Sequence, residues 1–186
     1  MNYYKVLNNQ IHTIGDYSIV PIRYQDRFEI MKWRNEQIYH LRQKDFLTED
    51  CQEKYFTKVI QNLFKTEYPD QLLFSFLKNN NCIGYGGLVK INWIDKNAEI
   101  SFLMNTNLEK NHFEEYWLLF LELIEQVGFS DIFLNKIYTY AFDLRPQLYP
   151  ILLKANYSEE SRLKAHCFFQ EKFIDVLIHS KFNDKV

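Results

Sequence analysis

The segment Gln71–Met104 constrains the fold of this chain most, because its pattern predicts three consecutive β-strands. Apolar runs of strand length are separated by NNN at 79–81 and DKN at 95–97, and both tripeptides favour turns. A helix that is apolar on nearly every side is then predicted from Glu114 to Val127, before a strand over Lys136–Phe142. A single helix between two strands favours a right-handed parallel crossover. The sequence therefore predicts a β-meander joined through a helix to a parallel strand.

Shorter patterns extend this prediction at both ends. Residues 17–24 alternate apolar and polar positions around Pro21, which predicts an edge strand, and Asp26 is a suitable N-cap for a following helix. A second helix is predicted after Thr48, and CFFQEKFIDVLIHSKF predicts a hairpin that turns at 170–172. The predicted order is β α α β β β α β α β β. The first ~15 residues are predicted to be loose from their composition.

Composition narrows the possible functions. A chain of 186 residues, 47% of them hydrophobic, can bury the core of one ordinary domain, which excludes disorder. The 24 acidic residues slightly outnumber the 22 basic ones, which argues against a nucleic-acid partner. Apolar runs stay below the ~20 residues that span a bilayer, so no membrane partner is expected. Cys51, Cys82 and Cys167 are widely spaced, which predicts reduced thiols and a cytoplasmic location.

Several strings resemble a known superfamily. The segment at 134–181 contains a strand that ends in Asp143, a loop with Pro146, a short helix, and Asn156–Tyr157 where a Gly-Phe pair is usual. KWRNEQI, CIGYGGLV and NAEISFLM precede it in the expected order. Together these strings resemble the GNAT superfamily of acyl-CoA-dependent N-acyltransferases.

The resemblance extends over residues 17–180 and implies one GNAT domain over residues 1–186. The fold class it implies is α/β (α+β), with a central, twisted sheet of mixed antiparallel and parallel strands flanked by helices. It also implies acyl-CoA, carrying acetyl or a longer acyl group, as the co-substrate, and no metal. The chain is most similar to bacterial enzymes that acylate dTDP- or UDP-linked amino deoxysugars for surface polysaccharides.

Acyl transfer from a thioester to an amine needs a group that accepts a proton. Glu99 is the candidate base, because its strand ends where ligands of open sheets bind. It shares a strand face with Ser101 and is flanked by apolar neighbours, which disfavour a charged carboxylate. The alternative is a half-exposed strand carboxylate without a catalytic role.

Acyl transfer also benefits from a group that protonates the departing thiolate. The resemblance implies a tyrosine in the short helix, but Leu152 stands at that position. Tyr149 is the local substitute, because Pro150 is predicted at the first helical position, which leaves Tyr149 at the exposed N-terminal end. The alternative is an aromatic side chain that packs over a loop.

The superfamily binds the CoA diphosphate with a Q/RxxGxG/A turn at a helix N-terminus, where unpaired N–H groups face the phosphates. That turn aligns with His112–Trp117, which contains no glycine. A turn shifted back to NLEKNH would supply Lys110, Asn111 and His112 as cofactor-binding residues.

The resemblance places the pantetheine arm along the backbone of one splayed strand. The matching residues are Phe102, Leu103 and Met104, whose side chains are predicted to lie in the core. The glycines of IGYGGLV are predicted to mark a bulge or a close approach by ligand backbone.

The acceptor is predicted to bind near the end of the first helix. Arg34 and Arg42 are natural phosphate partners, and Trp33 or Tyr39 has an aromatic ring that can stack on a base or sugar. Trp33 as a core residue is the alternative. The residues assigned to substrate binding are Trp33, Arg34, Asn35, Tyr39 and Tyr85.

These features predict transfer of an acyl group from acyl-CoA to a nucleotide-linked amino sugar, with a homodimer possible. One alternative is a ribosomal-protein N-terminal acetyltransferase, which would need a groove for an extended peptide. The other is a degenerate GNAT protein that binds a ligand or protein without catalysis, which the missing glycines favour.

Overall fold

The computed structural model describes residues 2–41 and 43–184. The strands are β1 His12–Ile14, β2 Tyr17–Pro21, β3 Gln71–Lys78, β4 Asn81–Asn92, β5 Asn97–Met104, β6 Lys136–Phe142, β7 Ser158–Phe169 and β8 Lys172–Phe182. They form one sheet in the order β1-β2-β3-β4-β5-β6-β8-β7. Strands β5 and β6 are parallel, and the other neighbouring pairs are antiparallel. The predicted mixed sheet is confirmed.

Helices cover both faces of this sheet. They are α1 Arg27–Glu36, α2 Glu49–Lys54, α3 Gln61–Lys65, α4 Thr106–Glu125 and α5 Leu148–Lys154, with π-helical turns at Tyr55–Ile60 and Gln126–Asp131. Tyr85 contacts Arg34 of α1, whereas a side chain at the next residue, Gly86, would meet Phe120 of α4. Successive strand residues point to opposite faces, so α1 and α4 lie on opposite sides. None of the described helices is long and apolar enough to cross a membrane.

The predicted meander and its first turn are confirmed. Strands β3 and β4 are joined through Asn79 and Asn80, which have φ angles of 47° and 66°. Asparagine adopts this left-handed conformation more readily than most residues, which explains why the tripeptide forms a tight hairpin. The hairpin of β7 and β8 also turns where predicted, through Gln170 and Glu171.

The glycines of β4 admit the backbones of neighbouring strands, and the β3–β4 register shifts beside Gly84, which confirms the predicted bulge. A Cβ atom on Gly86 would lie 2.2 Å from the Ser101 carbonyl oxygen of β5. A Cβ atom on Gly87 would lie 1.9 Å from the Leu72 carbonyl oxygen of β3. Glycine is therefore required here for the sheet to close around the centre of β4.

The N-terminal segment is more ordered than its composition predicted. Tyr4 is fully buried, and its hydroxyl donates to the Leu73 carbonyl oxygen over 2.8 Å. Strand β1 pairs with β2, so the strand that contains Pro21 is not at the sheet edge. The prediction of an edge strand was wrong because β1 is short and lacks a distinctive pattern.

Asp26 occupies the N-cap position of α1 but makes no capping hydrogen bond. Its carboxylate accepts hydrogen bonds from Arg23 Nε and Ser75 Oγ, both over 2.7 Å. Asp26 is therefore the N-cap residue as predicted, but its carboxylate ties the start of α1 to the sheet instead of accepting from the helix amides.

Helix α4 begins at Thr106, not at Glu114 as predicted. The Asn105 side chain caps it by accepting a hydrogen bond from the Asn107 amide over 3.0 Å. The segment after Asn105 has no glycine that would stop the helix, so the proposed NLEKNH turn is helical. The position of the superfamily's phosphate turn, His112–Trp117, is therefore helix interior.

Helix α5 also begins earlier than predicted. It starts at Leu148, so Pro150 is its third residue and Tyr149 its second. Proline is tolerated there because amides of the first turn have no partner within a helix.

Candidate active site

Strands β5 and β6 separate at the centre of the sheet. Their pairing stops at Ile100–Thr139 among the described residues, although the strands continue to Met104 and Phe142. The opening between them, here called the β5–β6 cleft, is lined by side chains that include Glu99, Ser101, Phe102, Tyr140 and Arg145. The β6-facing edge of β5 is available there to pair with an extended polar chain, as a further strand would.

Packing on the α4 side holds this free edge in place. The rings of Phe102 and Phe120 are stacked with centroids 4.1 Å apart, and Trp117 meets Phe102 edge-on at 5.0 Å. Leu103 and Met104 are buried in the core. These two side chains are thus committed to packing, as predicted, and only their backbone can meet a ligand.

A second cavity, the α1–α2 cavity, lies on the opposite face and has a volume of about 430 Å³. Its polar lining consists of Arg34, Cys51, Gln52, Tyr55, Gln71, Tyr85 and Ser101, and its apolar lining of Ile22, Ile30, Leu47, Phe56, Leu73 and Val89. Arg34 Nη1 donates to the Tyr85 hydroxyl over 2.6 Å. Burial raises the pKa of Tyr55 to about 12, so that phenol stays neutral. No carboxylate is found among the described residues that line this cavity.

The two cavities meet at Ser101, which lines both. Glu99 is two residues earlier on the same strand face and is only 2% exposed. Its Oε2 atom accepts a hydrogen bond from Lys90 Nζ over 2.8 Å. The structure thus buries Glu99 at the junction, and the alternative of a half-exposed carboxylate is wrong.

Lys90 reaches Glu99 from an irregular position in β4. The β4–β5 register shifts between Val89 and Asn92, and Lys90 has a φ angle of 51°. The Lys90 side chain is 58% exposed, so the ion pair joins a buried carboxylate to an ammonium group that remains largely in water. The pair keeps one oxygen of Glu99 satisfied without burying a second charge.

Residues of three elements meet at the mouth of the β5–β6 cleft. Arg145, between β6 and α5, forms an ion pair with Glu109 of α4, and its Nη1 atom lies 3.0 Å from Nε2 of His40. Burial and the nearby guanidinium lower the pKa of His40 to about 3, so the imidazole is neutral. Gln37 Nε2 donates to the Met104 carbonyl oxygen over 2.8 Å, which ties the end of α1 to the end of β5.

A third cavity, the α4–α5 cavity, has a volume of about 730 Å³ and lies between helices α4 and α5. Its polar lining consists of Glu109, Lys110, Asn111, Glu114, Gln147 and Lys154. Two of the three residues predicted to bind the CoA diphosphate, Lys110 and Asn111, therefore share one cavity. His112 lines none of the three cavities; its ring stacks on Tyr116 at 4.9 Å.

Tyr149 is held away from the junction by its own contacts. Its hydroxyl donates to Asp143 Oδ1 over 2.7 Å, and its ring stacks on His179 with centroids 5.4 Å apart. Burial and the Asp143 carboxylate raise the pKa of Tyr149. Its neighbour Leu148 lines the β5–β6 cleft, whereas Tyr149 lines none of the three cavities.

The predicted acceptor residues separate into two groups. Arg34 and Tyr85 come together in the α1–α2 cavity. Trp33 is 2% exposed within the core, so its ring is not available for stacking on a sugar. Asn35 bonds both backbone groups of Leu47, and Tyr39 packs edge-on against His40. Arg42 lies outside the described residues.

Sequence reasoning missed Arg145, Gln37 and Tyr55 as residues around these cavities. Arg145 stands directly before Pro146 in the loop that the resemblance highlighted, which was a usable signal. The sequence gives no such signal for Gln37 and Tyr55, because their positions depend on how α1 and α2 pack on the sheet. Among the described residues no group of His, Cys, Asp and Glu side chains could hold a metal ion.

Comparisons with known proteins agree with this geometry. A family model described as "Acetyltransferase (GNAT) domain" matches residues 19–147, which is more than half of the chain. No curated protein matches the chain.

Solved structures share the fold at low sequence identity. Spermidine N-acetyltransferase from Vibrio cholerae, in complex with CoA and spermine, is 18% identical with a TM-score of 0.78, over 92% of this chain and 98% of that one. A dodecameric structure of the Vibrio cholerae enzyme is 18% identical with a TM-score of 0.75, over 92% of this chain and 96% of that one. A structure described as a probable acetyltransferase is 12% identical with a TM-score of 0.72, over 95% of this chain and 98% of that one.

At such identities the structural likeness establishes the fold alone, whereas the family match covers β3, β4, β5 and β6 and therefore both sides of the cleft. The chain belongs to the GNAT acetyltransferase family and is an acyl-CoA-dependent N-acyltransferase.

Proposed function

We propose that this enzyme acylates the amino group of a dTDP- or UDP-linked amino deoxysugar in the synthesis of a surface polysaccharide. One observation carries the proposal: the cleft between β5 and β6 and the cavity on the α1 face of the sheet meet at Ser101, beside the buried carboxylate of Glu99. The β5–β6 cleft suits the acyl thioester, and the α1–α2 cavity suits the acceptor that carries the amine. A cytoplasmic location, where acyl-CoA is available, belongs to the same proposal.

The acyl-CoA arm would lie in the β5–β6 cleft. Its amide groups would pair with the β6-facing backbone edge of Phe102, Leu103 and Met104, where the Met104 carbonyl oxygen already accepts a hydrogen bond from Gln37. The nucleotide end would lie in the α4–α5 cavity, where Lys110 and Asn111 offer donors to phosphate oxygens. Lys154 lines the same cavity, where its ammonium group pairs with the Glu114 carboxylate over 2.7 Å.

The reaction needs one proton removed and one returned. Glu99, directly or through a water, accepts the proton of the substrate ammonium, and the neutral nitrogen attacks the thioester carbonyl carbon. The carbon–sulfur bond then breaks, an amide forms, and the departing thiolate takes up a proton to give free CoA. Glu99 lies two residues before Ser101 on the same strand face, so its buried carboxylate borders the point where the two cavities meet.

The lining of the α1–α2 cavity favours an acceptor that carries anionic and apolar parts. Arg34 is its cation; its Nε atom donates to Gln43 and its Nη1 atom to Tyr85, so a phosphate would bond the terminal nitrogens beside these contacts. The absence of carboxylates among the described lining residues leaves a polyamine without a counter-charge. The name of the similar Vibrio cholerae enzyme suggests a polyamine as the alternative acceptor, and the acceptor assay therefore includes spermidine.

The acceptor assay follows thiol release from acetyl-CoA with dTDP- and UDP-amino sugars, spermidine and N-terminal peptides. We expect sugar nucleotides to react with kcat/KM at least ~10-fold above the other acceptors, and Arg34→Gln to raise their KM by ~10-fold, as loss of a charged hydrogen bond predicts. Arg27→Gln is the matched control, because Arg27 is on the same helix outside the cavity and pairs with Glu53.

Three other outcomes separate the alternatives. Turnover of spermidine or of peptides alone would reject the sugar acceptor while retaining the enzyme. Equal losses in Arg34→Gln and Arg27→Gln would remove Arg34 from acceptor binding. Absence of thermal stabilisation by millimolar CoA would instead favour the non-catalytic binding protein.

Tyr149 is tested separately as the proton donor. Its hydroxyl proton is directed to Asp143 and its pKa is raised, and both effects oppose donation to a thiolate. We therefore expect Tyr149→Phe to lower kcat by no more than ~3-fold and to leave CoA affinity unchanged. A loss near 10²-fold with unchanged CoA affinity would establish the tyrosine as the acid.

A homodimer is also proposed, with the end of the β7–β8 hairpin as its contact. Phe168 and Phe173 are 67% and 69% exposed there, and their rings contact each other at 5.1 Å. The similar Vibrio cholerae enzyme is described as dodecameric. Light scattering tests the proposal, and a monomer at all concentrations would reject it.

A further inference from the structure

The N-terminus of α4 has used most of its own backbone donors. The Asn107 amide donates to the Asn105 side chain over 3.0 Å, and the Leu108 and Glu109 amides donate to the Asn105 carbonyl oxygen over 3.0 and 3.2 Å. A diphosphate at this helix tip would therefore find few free N–H groups. Its charge must be met by a side chain.

Arg145 is a cation placed to do so. It is only 8% exposed, lines the β5–β6 cleft and packs its guanidinium on the Phe113 ring at 4.8 Å. Its terminal nitrogens contact Glu109 and His40, but its Nε atom is buried and has no hydrogen-bond partner in the described part of the chain. A buried donor without an acceptor is costly unless a ligand supplies the acceptor.

The Arg145–Glu109 ion pair lies between two cavities. Arg145 lines the β5–β6 cleft, and Glu109 lines the α4–α5 cavity. A ligand with its thioester in the first cavity and its nucleotide in the second must pass between these two side chains. The group of CoA that joins its two ends is the diphosphate.

We propose that Arg145 is the diphosphate-binding residue of this chain and that the Glu109 carboxylate occupies the same position until acyl-CoA displaces it. The inference rests on the proposed use of the cleft by acyl-CoA. A diphosphate presents more oxygens and more charge to the guanidinium than one carboxylate, and it reaches Nε as well. Glu109 then turns into the α4–α5 cavity. Arg145 thus takes the place of the missing glycine turn, and the Glu109 carboxylate competes with the diphosphate for it.

The test measures CoA binding by calorimetry in wild type, Glu109→Gln and Arg145→Lys. We expect Glu109→Gln to bind CoA roughly 5-fold tighter, because the competing charge is gone, and Arg145→Lys to bind it at least ~10-fold weaker, because lysine lacks the fork. In both variants the affinity for S-acetylpantetheine, which has no diphosphate, should change much less than the affinity for CoA. Glu122→Gln removes the same charge from an exposed position of α4 outside the three cavities and should match wild type.

Each other outcome has a distinct meaning. Equal or weaker CoA binding by Glu109→Gln overturns the exchange, because a purely structural ion pair gives that result. Equal changes for CoA and S-acetylpantetheine overturn the assignment to the diphosphate. Failure of the wild type to bind CoA at all rejects the proposed function itself. Thermal melting of each free variant shows whether it is folded, and Glu109→Gln is informative even if Arg145→Lys is unfolded.

Discussion

Glu99→Gln should lower kcat/KM about 10²-fold, because glutamine keeps the size of the side chain but does not accept the proton of the substrate ammonium. The acidic limb of the kcat/KM profile should disappear together with the rate. CoA affinity should fall by no more than ~3-fold, because glutamine has the same size as Glu99 and keeps the lining of the β5–β6 cleft unchanged in shape. The measurement is a pH series of thiol release with a saturating acceptor.

Lys90→Met is the matched control for this variant. It breaks the same ion pair from its exposed side but leaves Glu99 in place. If kcat/KM falls less than ~5-fold in Lys90→Met but about 10²-fold in Glu99→Gln, the effect is assigned to proton transfer. Equal losses in the two variants would show that the pair matters for holding β4 and β5 together, and Glu99 would lose the role of base.

Ser101→Leu should also lower kcat by about 10²-fold, for a different reason. Ser101 lines both cavities, so a larger side chain there separates the amine from the thioester, and displacement of about 1 Å is enough for such a loss. CoA should still bind, because the free edge of β5 beyond Ser101 is unchanged. Steady-state kinetics and calorimetry measure the two quantities on the same preparation.

Ser101→Ala distinguishes this steric effect from a role of the hydroxyl. It leaves the junction open and should keep at least about a third of the wild-type kcat. A loss in Ser101→Ala as large as that in Ser101→Leu would assign the effect to the hydroxyl. Full activity of Ser101→Leu would show that the two cavities do not supply the two substrates.

The meander could be predicted because its signals are local. Asn79 and Asn80 adopt positive φ angles, and runs of strand length flank them, so neighbouring residues define both the turn and the pairing. The parallel pairing of β5 with β6 followed from the single intervening helix. The strand face of Glu99 could be predicted for the same reason, since alternation puts it on one face with Ser101.

The start of α4 could not be predicted in this way. The sequence suggested a turn near His112 by analogy with a glycine motif, but Asn105 caps the helix earlier and the intervening residues let it continue. Lys110 and Asn111 were selected for a turn that does not exist, yet their helix places them in the α4–α5 cavity. The substrate class is also beyond local patterns, because it depends on which side chains converge from α1, α2 and β4.

By itself, the sequence determined the order of strands and helices, the meander and the strand face on which Glu99 lies, because these depend on residues close together in the chain. The tertiary structure alone decided that Ser101 joins two cavities, that Trp33 is core, and that Arg145 meets Glu109 across 36 positions of sequence. Such contacts arise when helices pack on a sheet, and side-chain burial there follows from the whole arrangement rather than from any local pattern.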